Sequence, residues 1–177
     1  MRYKRVQIPG AAYFFTVNLA NRTSRLLTEH IDALRLSIQQ TKRNHPFSID
    51  AIVILPDHLH TVWTLPEDDS DYSKRWMLIK SNFSRQIPRS EYRRKSRTLK
   101  RERGIWQRRF WEHCIRDEQD FVRHVDYIHY NPVKHGYVEK ASQWEYSSIH
   151  QYIQKGILDK EWGVASDFRF KEEFGES

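Results

Sequence analysis

The segment from Ser48 to Leu65 constrains the fold more than any other part of the sequence. Ser48–Leu55 (SIDAIVIL) and His58–Leu65 (HLHTVWTL) are rich in apolar and β-branched residues, and only Pro56-Asp57 separates them. Runs of this kind bounded by a turn predict β-strands. Because so short a connection joins antiparallel neighbours, the sequence predicts an antiparallel sheet that contains this hairpin.

A strand and a helix are predicted before the hairpin. Tyr13–Leu19 (YFFTVNL) is aromatic and β-branched and therefore predicts a strand. We do not interpret it as a signal peptide, because Pro9-Gly10 interrupts the apolar segment and no small-residue cleavage site follows. Thr28 is a typical N-cap, and apolar residues then recur at helical spacing to about Arg43.

Two helices are predicted after the hairpin. The first opens at Asp68-Asp69-Ser70 and ends at Ile87-Pro88, and the last starts near Asp117. We expect this last helix to stop before Pro132, because proline disfavours helical geometry in the residue before it. The core face of the first of these two helices is predicted to be Tyr72, Trp76, Ile79 and Phe83.

The order of these elements predicts an α+β fold. A mostly antiparallel sheet with helices packed on it closes most simply as a ferredoxin-like sandwich. The chain has 177 residues, without internal repeats or an interdomain linker, which suits one domain. We expect that domain to cover residues 1–155, with residues 156–177 forming a C-terminal tail that packs on or near it.

Charge and cysteine content narrow the function. The net charge of +7 favours an anionic partner, most commonly nucleic acid, although a basic protein can simply be soluble. The single cysteine, Cys114, excludes an internal disulfide and a cysteine-rich zinc site and fits a reducing compartment. Apolar runs such as Ala51–Leu55 are too short to span a bilayer. We therefore expect a cytoplasmic, nucleoid-associated protein with no membrane partner.

Two histidines start the predicted strand that follows the turn. Because side chains alternate along a strand, His58 and His60 share one face and Leu59 points to the other. Two imidazoles at this spacing suit a shared divalent metal. Such a pair is equally typical of a hydrogen-bonded or surface feature, so a third ligand has to come from elsewhere.

The last helix supplies candidates for a third ligand and a nucleophile. At about 100° per residue, Tyr127 and Asn131 lie one turn apart on one flank, which Asp120 and His124 share. An amide oxygen from Asn131 would complete a hard-cation site beside the Tyr127 phenol. Tyr130 is less well aligned with Asn131. The alternative is that this flank is a solvated helix face.

A basic region interleaved with aromatic residues predicts contacts with DNA phosphates and bases. Arginines and lysines dominate between Arg85 and Arg109, and the sequence from Trp106 to Trp111 alternates guanidinium groups with rings. The alternatives are a solvated basic loop and core packing of Trp106, Phe110 or Trp111. The predicted DNA-binding residues are Arg2, Arg5, Lys80, Arg85, Trp106, Arg108, Arg109 and Trp111.

Three motifs resemble those of a known family. Leu55–Trp63 resembles the histidine-hydrophobic-histidine (HUH) motif of single-tyrosine transposases. Trp106–His113 and Asp126–Gly136 are similar to segments of bacterial REP-associated tyrosine transposases. The similarity extends from Tyr13 to about Tyr146, and only the insert around Ser90–Arg103 and the C-terminal tail are less typical.

The resemblance implies a chemistry and a substrate. It implies a ferredoxin-like protein that cleaves single-stranded DNA next to palindromic hairpins, with Mg²⁺ or Mn²⁺ on His58, His60 and Asn131. Tyr127 matches the nucleophile, which forms a 5′-phosphotyrosine that a 3′-hydroxyl can later attack. The resemblance favours a monomer, with a dimer as the alternative. Competing hypotheses are a non-catalytic nucleic-acid-binding domain and a metal-dependent hydrolase that uses water.

Overall fold

A four-stranded antiparallel sheet forms the centre of the part of the chain that the structure describes. The structure is a computed structural model that describes residues 7–89, 102–165 and Phe174. The strands lie in the order β2-β3-β1-β4 and all neighbours are antiparallel. Their bounds are β1 Ala12–Asn18, β2 Ser48–Ile54, β3 His58–Thr64 and β4 Trp111–Cys114.

The predicted hairpin is present, and its second strand pairs with β1. In the β1–β3 register, Asn18 lies opposite His58 and Thr16 opposite His60. The β2–β3 pairing shifts register between Ile49 and Ala51, at a bulge near the far end of the hairpin. This strand order brings both histidines onto a central strand, where neighbours on both sides can hold their rings.

Helices cover both faces of the sheet. On one face, α1 (Leu26–Glu29), α2 (Ile31–Asn44) and α3 (Tyr72–Gln86) cover the larger core. On the other face, α4 (Glu118–Lys134) packs on β2 and β3, and a short helix, α5 (Ile149–Gln154), follows. This arrangement confirms the predicted α+β, ferredoxin-like sandwich.

Strand β4 was missed by the sequence analysis. Trp111–Cys114 is a four-residue edge strand that pairs only with β1 among the described strands. Its sequence, WEHC, contains no β-branched residue and follows directly on the basic region, so nothing local indicates a strand. The segment becomes a strand because β1 has an open edge for it.

The predicted start of the first helix was wrong. Thr28 lies inside α1 and donates its hydroxyl to the carbonyl oxygen of Arg25, 3.1 Å away, instead of capping a helix. The main helix, α2, begins after a break at His30. By contrast, Asp117 does cap α4, because its side chain accepts a hydrogen bond from the Asp120 amide.

The predicted end of the last helix was also wrong. Pro132 lies inside α4, which continues to Lys134. Two residues after the end of the helix, Gly136 is left-handed, with a φ of 71°. Gly136 N donates to the carbonyl of Val133, and Tyr137 N donates to the carbonyl of Pro132. This pair of bonds is a Schellman motif, which satisfies the last carbonyls of the helix.

The first part of the predicted tail packs back on the chain. Ala141 N bonds to the carbonyl of Gly163, 3.1 Å away, and Lys140 pairs with Val164 in an isolated bridge.

In residues 7–89 and 102–165, no helix is long and apolar enough to cross a membrane.

Candidate active site

The two histidines of β3 are buried and each is oriented by a hydrogen bond. The ring centroids of His58 and His60 lie 5.0 Å apart, and both side chains are almost inaccessible to solvent. His58 Nδ1 lies 2.8 Å from Asp57 Oδ1, and His60 Nδ1 lies 2.8 Å from Thr16 Oγ1. The Thr16 hydroxyl donates its single proton to the carbonyl of Phe174, so it accepts from His60.

These bonds determine which ring nitrogens face the site. Because both Nδ1 atoms carry the proton, the Nε2 lone pairs are left to bind a metal. Nε2 of His58 is buried and has no hydrogen-bond partner among the described residues. A buried acceptor of this kind is costly unless an ion or a ligand proton occupies it.

Burial keeps both imidazoles in the neutral form that binds metals. Burial lowers the pKa of His58, which the Asp57 carboxylate only partly opposes, and it holds the pKa of His60 well below its usual range. Burial would raise the pKa of Asp57, but hydrogen bonds from His58 and Arg22 keep that pKa below its ordinary value. The site therefore contains one carboxylate and two neutral rings at neutral pH.

Helix α4 brings Tyr127 next to the histidines. The Tyr127 ring is buried, and its centroid lies 5.3 Å from that of His60. Lys134, two turns later on the same helix, donates from Nζ to Tyr127 Oη at 3.0 Å, and Nζ lies 4.8 Å from the centroid of the Tyr127 ring. The Tyr127 ring thus packs edge-on against His60, and its hydroxyl contacts a cation.

Tyr130 occupies a different part of the molecule. It packs in a separate cluster with Val133, Ala141 and Ile149, and its hydroxyl lies 3.5 Å from the carbonyl of Ala165. The choice of Tyr127 over Tyr130, made from helical geometry, thus agrees with where the two rings lie.

Asn131 lies one turn after Tyr127 and is fully buried, with Oδ1 inaccessible to solvent. Two imidazole nitrogens and one amide oxygen are a donor set that accepts Mg²⁺ or Mn²⁺. The residues present therefore fit the metal that the resemblance implies.

The alternative interpretation, in which the flank of α4 that carries Tyr127 and Asn131 faces solvent, was wrong. Asp120, His124, Tyr127 and Asn131 are all buried. The cover comes partly from β4, since the ring of His113 stacks on that of His124 at 4.7 Å. This cover was not predicted from the sequence, because β4, which supplies it, was not predicted either.

His113, Asp120 and His124 form a second cluster with the ligand types of a metal site. The carboxylate of Asp120 already accepts hydrogen bonds from His113 Nε2 at 2.7 Å, from Arg116 and from Arg123. Two arginines on one carboxylate oppose the binding of a further cation. The geometry favours a structural role in which Asp120 ties β4 to α4.

The predicted DNA-binding residues fall into two groups. Four of them line a groove of about 740 Å³ between α3 and residues 102–110, namely Lys80, Arg85, Trp106 and Arg108. Of these, Trp106 is buried and packs on Phe83, so the core alternative holds for it and its ring is not available for stacking on bases.

The other predicted DNA-binding residues lie outside that groove. Arg109 is exposed, and Trp111 is 36% exposed on β4, where it stacks on His113. Arg2 and Arg5 lie outside the described residues.

Several residues of the site were missed. Arg22 donates to Asp57 Oδ2 at 2.6 Å, and the ring of His135 lies 5.2 Å from that of His58. Burial together with the charge of His58 lowers the pKa of His135 to about 4. Lys134 and His135 follow Asn131 in the sequence and were within reach of the helical argument, but the predicted stop before Pro132 removed them. Nothing local identifies Arg22 or Thr16.

Comparison with known proteins defines the class. The family model described as IS200-like transposase matches residues 9–131, more than half of the chain. The chain therefore belongs to the IS200-like transposase family. Among individual proteins, it is 46% identical over 167 residues to the REP-associated tyrosine transposase of Escherichia coli K12, covering 94% of this chain and 93% of the relative.

Two further relatives agree. A Haemophilus influenzae protein assigned to the same group of transposases is 47% identical over 171 residues, covering 96% of this chain and 97% of that protein. A solved REP-associated tyrosine transposase bound to a REP hairpin superposes with a TM-score of 0.80 at 44% identity, covering 98% of each chain. The resemblance that the motifs indicated is thereby confirmed.

Proposed function

We propose that this transposase is a DNA strand transferase that cleaves single-stranded DNA beside a hairpin through a tyrosine-linked intermediate. The observation that carries the proposal is the packing of the buried Tyr127 ring against His60 of the His58–His60 pair, together with the hydrogen bond from Lys134 Nζ to Tyr127 Oη. The solved relative is bound to a REP hairpin, which supports the same kind of DNA as the substrate here.

The reaction is a transesterification at phosphorus. Tyr127 Oη loses its proton and forms a bond to the scissile phosphorus, and the bond from phosphorus to the 3′-oxygen breaks. The 3′-oxygen takes up a proton and leaves as a hydroxyl, while the 5′-phosphate stays on Tyr127. Because one phosphoester replaces another, a 3′-hydroxyl can reverse the step and rejoin DNA without ATP.

The chain's own groups orient this chemistry. A divalent metal held by His58, His60 and Asn131 would stabilise negative charge on the phosphate oxygens. Asp57 and Thr16 hold the two imidazoles in the orientation and tautomer that ligation needs. Lys134 donates to Tyr127 Oη and provides positive charge at the atom where negative charge develops.

The groove between α3 and residues 102–110 is the proposed surface for the hairpin. Its lining carries Lys80, Arg85, Arg103 and Arg108, a density of positive charge that suits phosphates. Gln107 N bonds to the carbonyl of Asn18, which lies opposite His58 in the sheet. The groove is thus next to the end of the sheet where the reaction would occur. We propose one monomer as the working unit.

A covalent-adduct assay tests the proposal. The full chain is incubated with Mn²⁺ and a single-stranded oligonucleotide that carries a hairpin and a 3′ label, which stays with the strand attached to Tyr127, and the products are resolved on a denaturing gel. We expect a labelled protein–DNA adduct that is absent in Tyr127→Phe and in excess EDTA. Tyr130→Phe is the matched control and should still form the adduct.

Each competing hypothesis predicts a different result. A non-catalytic binder would show salt-sensitive binding with no adduct. A hydrolase that uses water would retain cleavage in Tyr127→Phe and lose it in His60→Ala. An adduct that persists in Tyr127→Phe would contradict the assignment of the nucleophile, and one that forms equally in EDTA would contradict the metal.

A further inference from the structure

A row of ring side chains leads away from the candidate metal site on the side of β2. The ring of His135 lies 5.2 Å from that of His58, and the ring of Tyr137 lies 6.2 Å from that of His135. Trp144 follows at 5.2 Å from Tyr137, and Tyr146 at 6.0 Å from Trp144. We call His135, Tyr137, Trp144 and Tyr146 the ring row.

The end of β2 holds the ring row in place. Trp144 Nε1 donates to the carbonyl of Ile54 at 2.9 Å, and Ile54 N donates to the carbonyl of Tyr146 at 2.8 Å. Gly136 sets the chain direction between His135 and Tyr137 through its left-handed conformation. Hydrogen bonds and backbone geometry of the protein itself therefore fix the positions of the rings in the ring row.

The ring row has two exposed members, His135 and Tyr137, and two partly buried ones, Trp144 and Tyr146, with arginines nearby. Tyr137 is 41% exposed, and His135 is exposed as well. Asp57, Arg25 and Arg22 all act electrostatically on the Tyr137 hydroxyl, and Arg35 lies over the Tyr146 ring with Cζ 5.8 Å from its centroid.

Beyond Tyr146, the surface continues into a groove of about 1040 Å³ between α2 and residues 145–151. Its lining contains three cations, Arg35, Lys42 and Arg43, against the two carboxylates of Asp32 and Glu145. A path of aromatic and cationic side chains therefore runs from the metal site to this groove.

We propose that the ring row binds unpaired bases of the DNA strand that flanks the scissile phosphate. Aromatic rings interleaved with arginines bind single strands, because every base offers a flat face for stacking and the phosphates need cations. A duplex hides those faces, so this surface suits the unpaired flank. The basic groove beside α3, in which Trp76 and Trp106 are buried, suits the hairpin. The inference rests on the proposed function, since it needs a single-stranded substrate at Tyr127.

The test measures what the unpaired flank adds to affinity. Fluorescence anisotropy gives the Kd of Tyr127→Phe protein, which cannot cleave, for a hairpin with flanks of 0, 2, 4 and 6 nucleotides. We expect tighter binding as the flank grows. Adding Tyr137→Ala should weaken binding of the long flank by between about 5-fold and 100-fold and leave binding of the bare hairpin unchanged.

Control variants separate stacking from folding. Tyr137→Phe keeps a ring and should retain the flank effect, and Ile157→Ala removes an exposed apolar side chain elsewhere and should change nothing. Photocrosslinking from 5-iodouracil in the flank, followed by mass spectrometry, should label peptides that contain residues 135–146. Crosslinks confined to residues 102–111 would overturn the inference.

The possible failures are distinguishable. If the protein binds hairpins and forms the Tyr127 adduct but the flank adds nothing, or Tyr137→Ala keeps the full flank effect, the ring row is not the flank site. If no hairpin binding and no adduct occur, the proposed function itself has failed.

Discussion

At the scale of single residues, the candidate site consists of buried polar groups that are each held by one well-placed neighbour. Asp57 orients His58, Thr16 orients His60, and Lys134 contacts the Tyr127 hydroxyl. A buried polar atom left without such a neighbour is costly, so the loss of one neighbour should affect the group that it holds. This makes the role of each neighbour measurable.

Lys134→Ala should slow adduct formation by about 100-fold, because it removes the donor at the atom that attacks phosphorus. Lys134→Arg keeps the positive charge and should lower the rate of adduct formation by less than Lys134→Ala. Single-turnover rates measure both, with the exposed Lys155→Ala as the control. A wild-type rate in Lys134→Ala would show that this contact takes no part in the reaction.

Asp57→Asn should weaken Mn²⁺ binding by about 10- to 100-fold, because the carboxylate that orients His58 loses its charge. Isothermal titration of the protein without DNA measures the affinity. Asp50→Asn is the control, since Asp50 contacts Thr64, which lies at the opposite end of β3 from His58. Equal affinity in both variants would contradict the role of Asp57 in orienting His58 for metal binding.

At the scale of elements, α4 is the part of the fold on which the site depends most. Tyr127, Asn131 and Lys134 recur at intervals of four and three residues, so they lie on one face of the helix. Asp117 caps the start of the helix, and Gly136 terminates it. The position of each functional side chain thus follows from where this helix begins and ends.

Gly136→Ala should lower the free energy of unfolding by about 1 kcal/mol, because an L-residue is strained at positive φ. Apart from its two chain neighbours, no described residue has an atom within 4 Å of the added Cβ, so strain and not a clash is the cause. Urea denaturation measures the change. Gly136→Asn should lower the free energy of unfolding by less, because asparagine tolerates this conformation. Equal decreases in the two variants would contradict this explanation.

At the scale of the whole molecule, the sheet separates two kinds of interior. The face covered by α2 and α3 is an apolar and aromatic core, whereas the face under α4 also buries five histidines. These are His58, His60, His124, His129 and the partly covered His113. Because buried imidazoles resist protonation, the stability of the molecule should depend on pH.

His129 is the clearest case, because burial, with the nearby charge of His150, lowers its pKa to about 3. Below about pH 6.5, His129 binds a proton in the unfolded chain but not in the folded chain. The stabilisation of the folded state is therefore complete above pH 6.5 and is lost as the pH falls. Between pH 7 and pH 4 this loss amounts to about 3 kcal/mol.

Chemical denaturation at a series of pH values tests this expectation. The unfolding free energy of His129→Gln should fall by about 3 kcal/mol less than that of the wild type over the same range. His30→Gln, at the junction of α1 and α2, is the control and should keep the wild-type dependence. Parallel curves for wild type and His129→Gln would contradict the prediction.

The outcome for particular residues shows what could be predicted. The hairpin, the shared face of His58 and His60 and the preference for Tyr127 over Tyr130 followed from periodicities of two and 3.6 residues. The end of α4 did not, because the helix accommodates Pro132 and is terminated only by the left-handed Gly136. Trp106 and Trp111 look alike in sequence, but one is in the core and the other is at the surface.

The sequence by itself determined the antiparallel hairpin, the pair of histidines and the helix that carries Tyr127 and Asn131, since local periodicity and turn residues encode these. Only the tertiary structure decided that β4 joins β1, that Thr16 and Arg22 support the histidines, and that rings from residues 135–146 extend the site. Contacts between distant segments depend on how whole elements pack, and no short stretch of sequence contains that information.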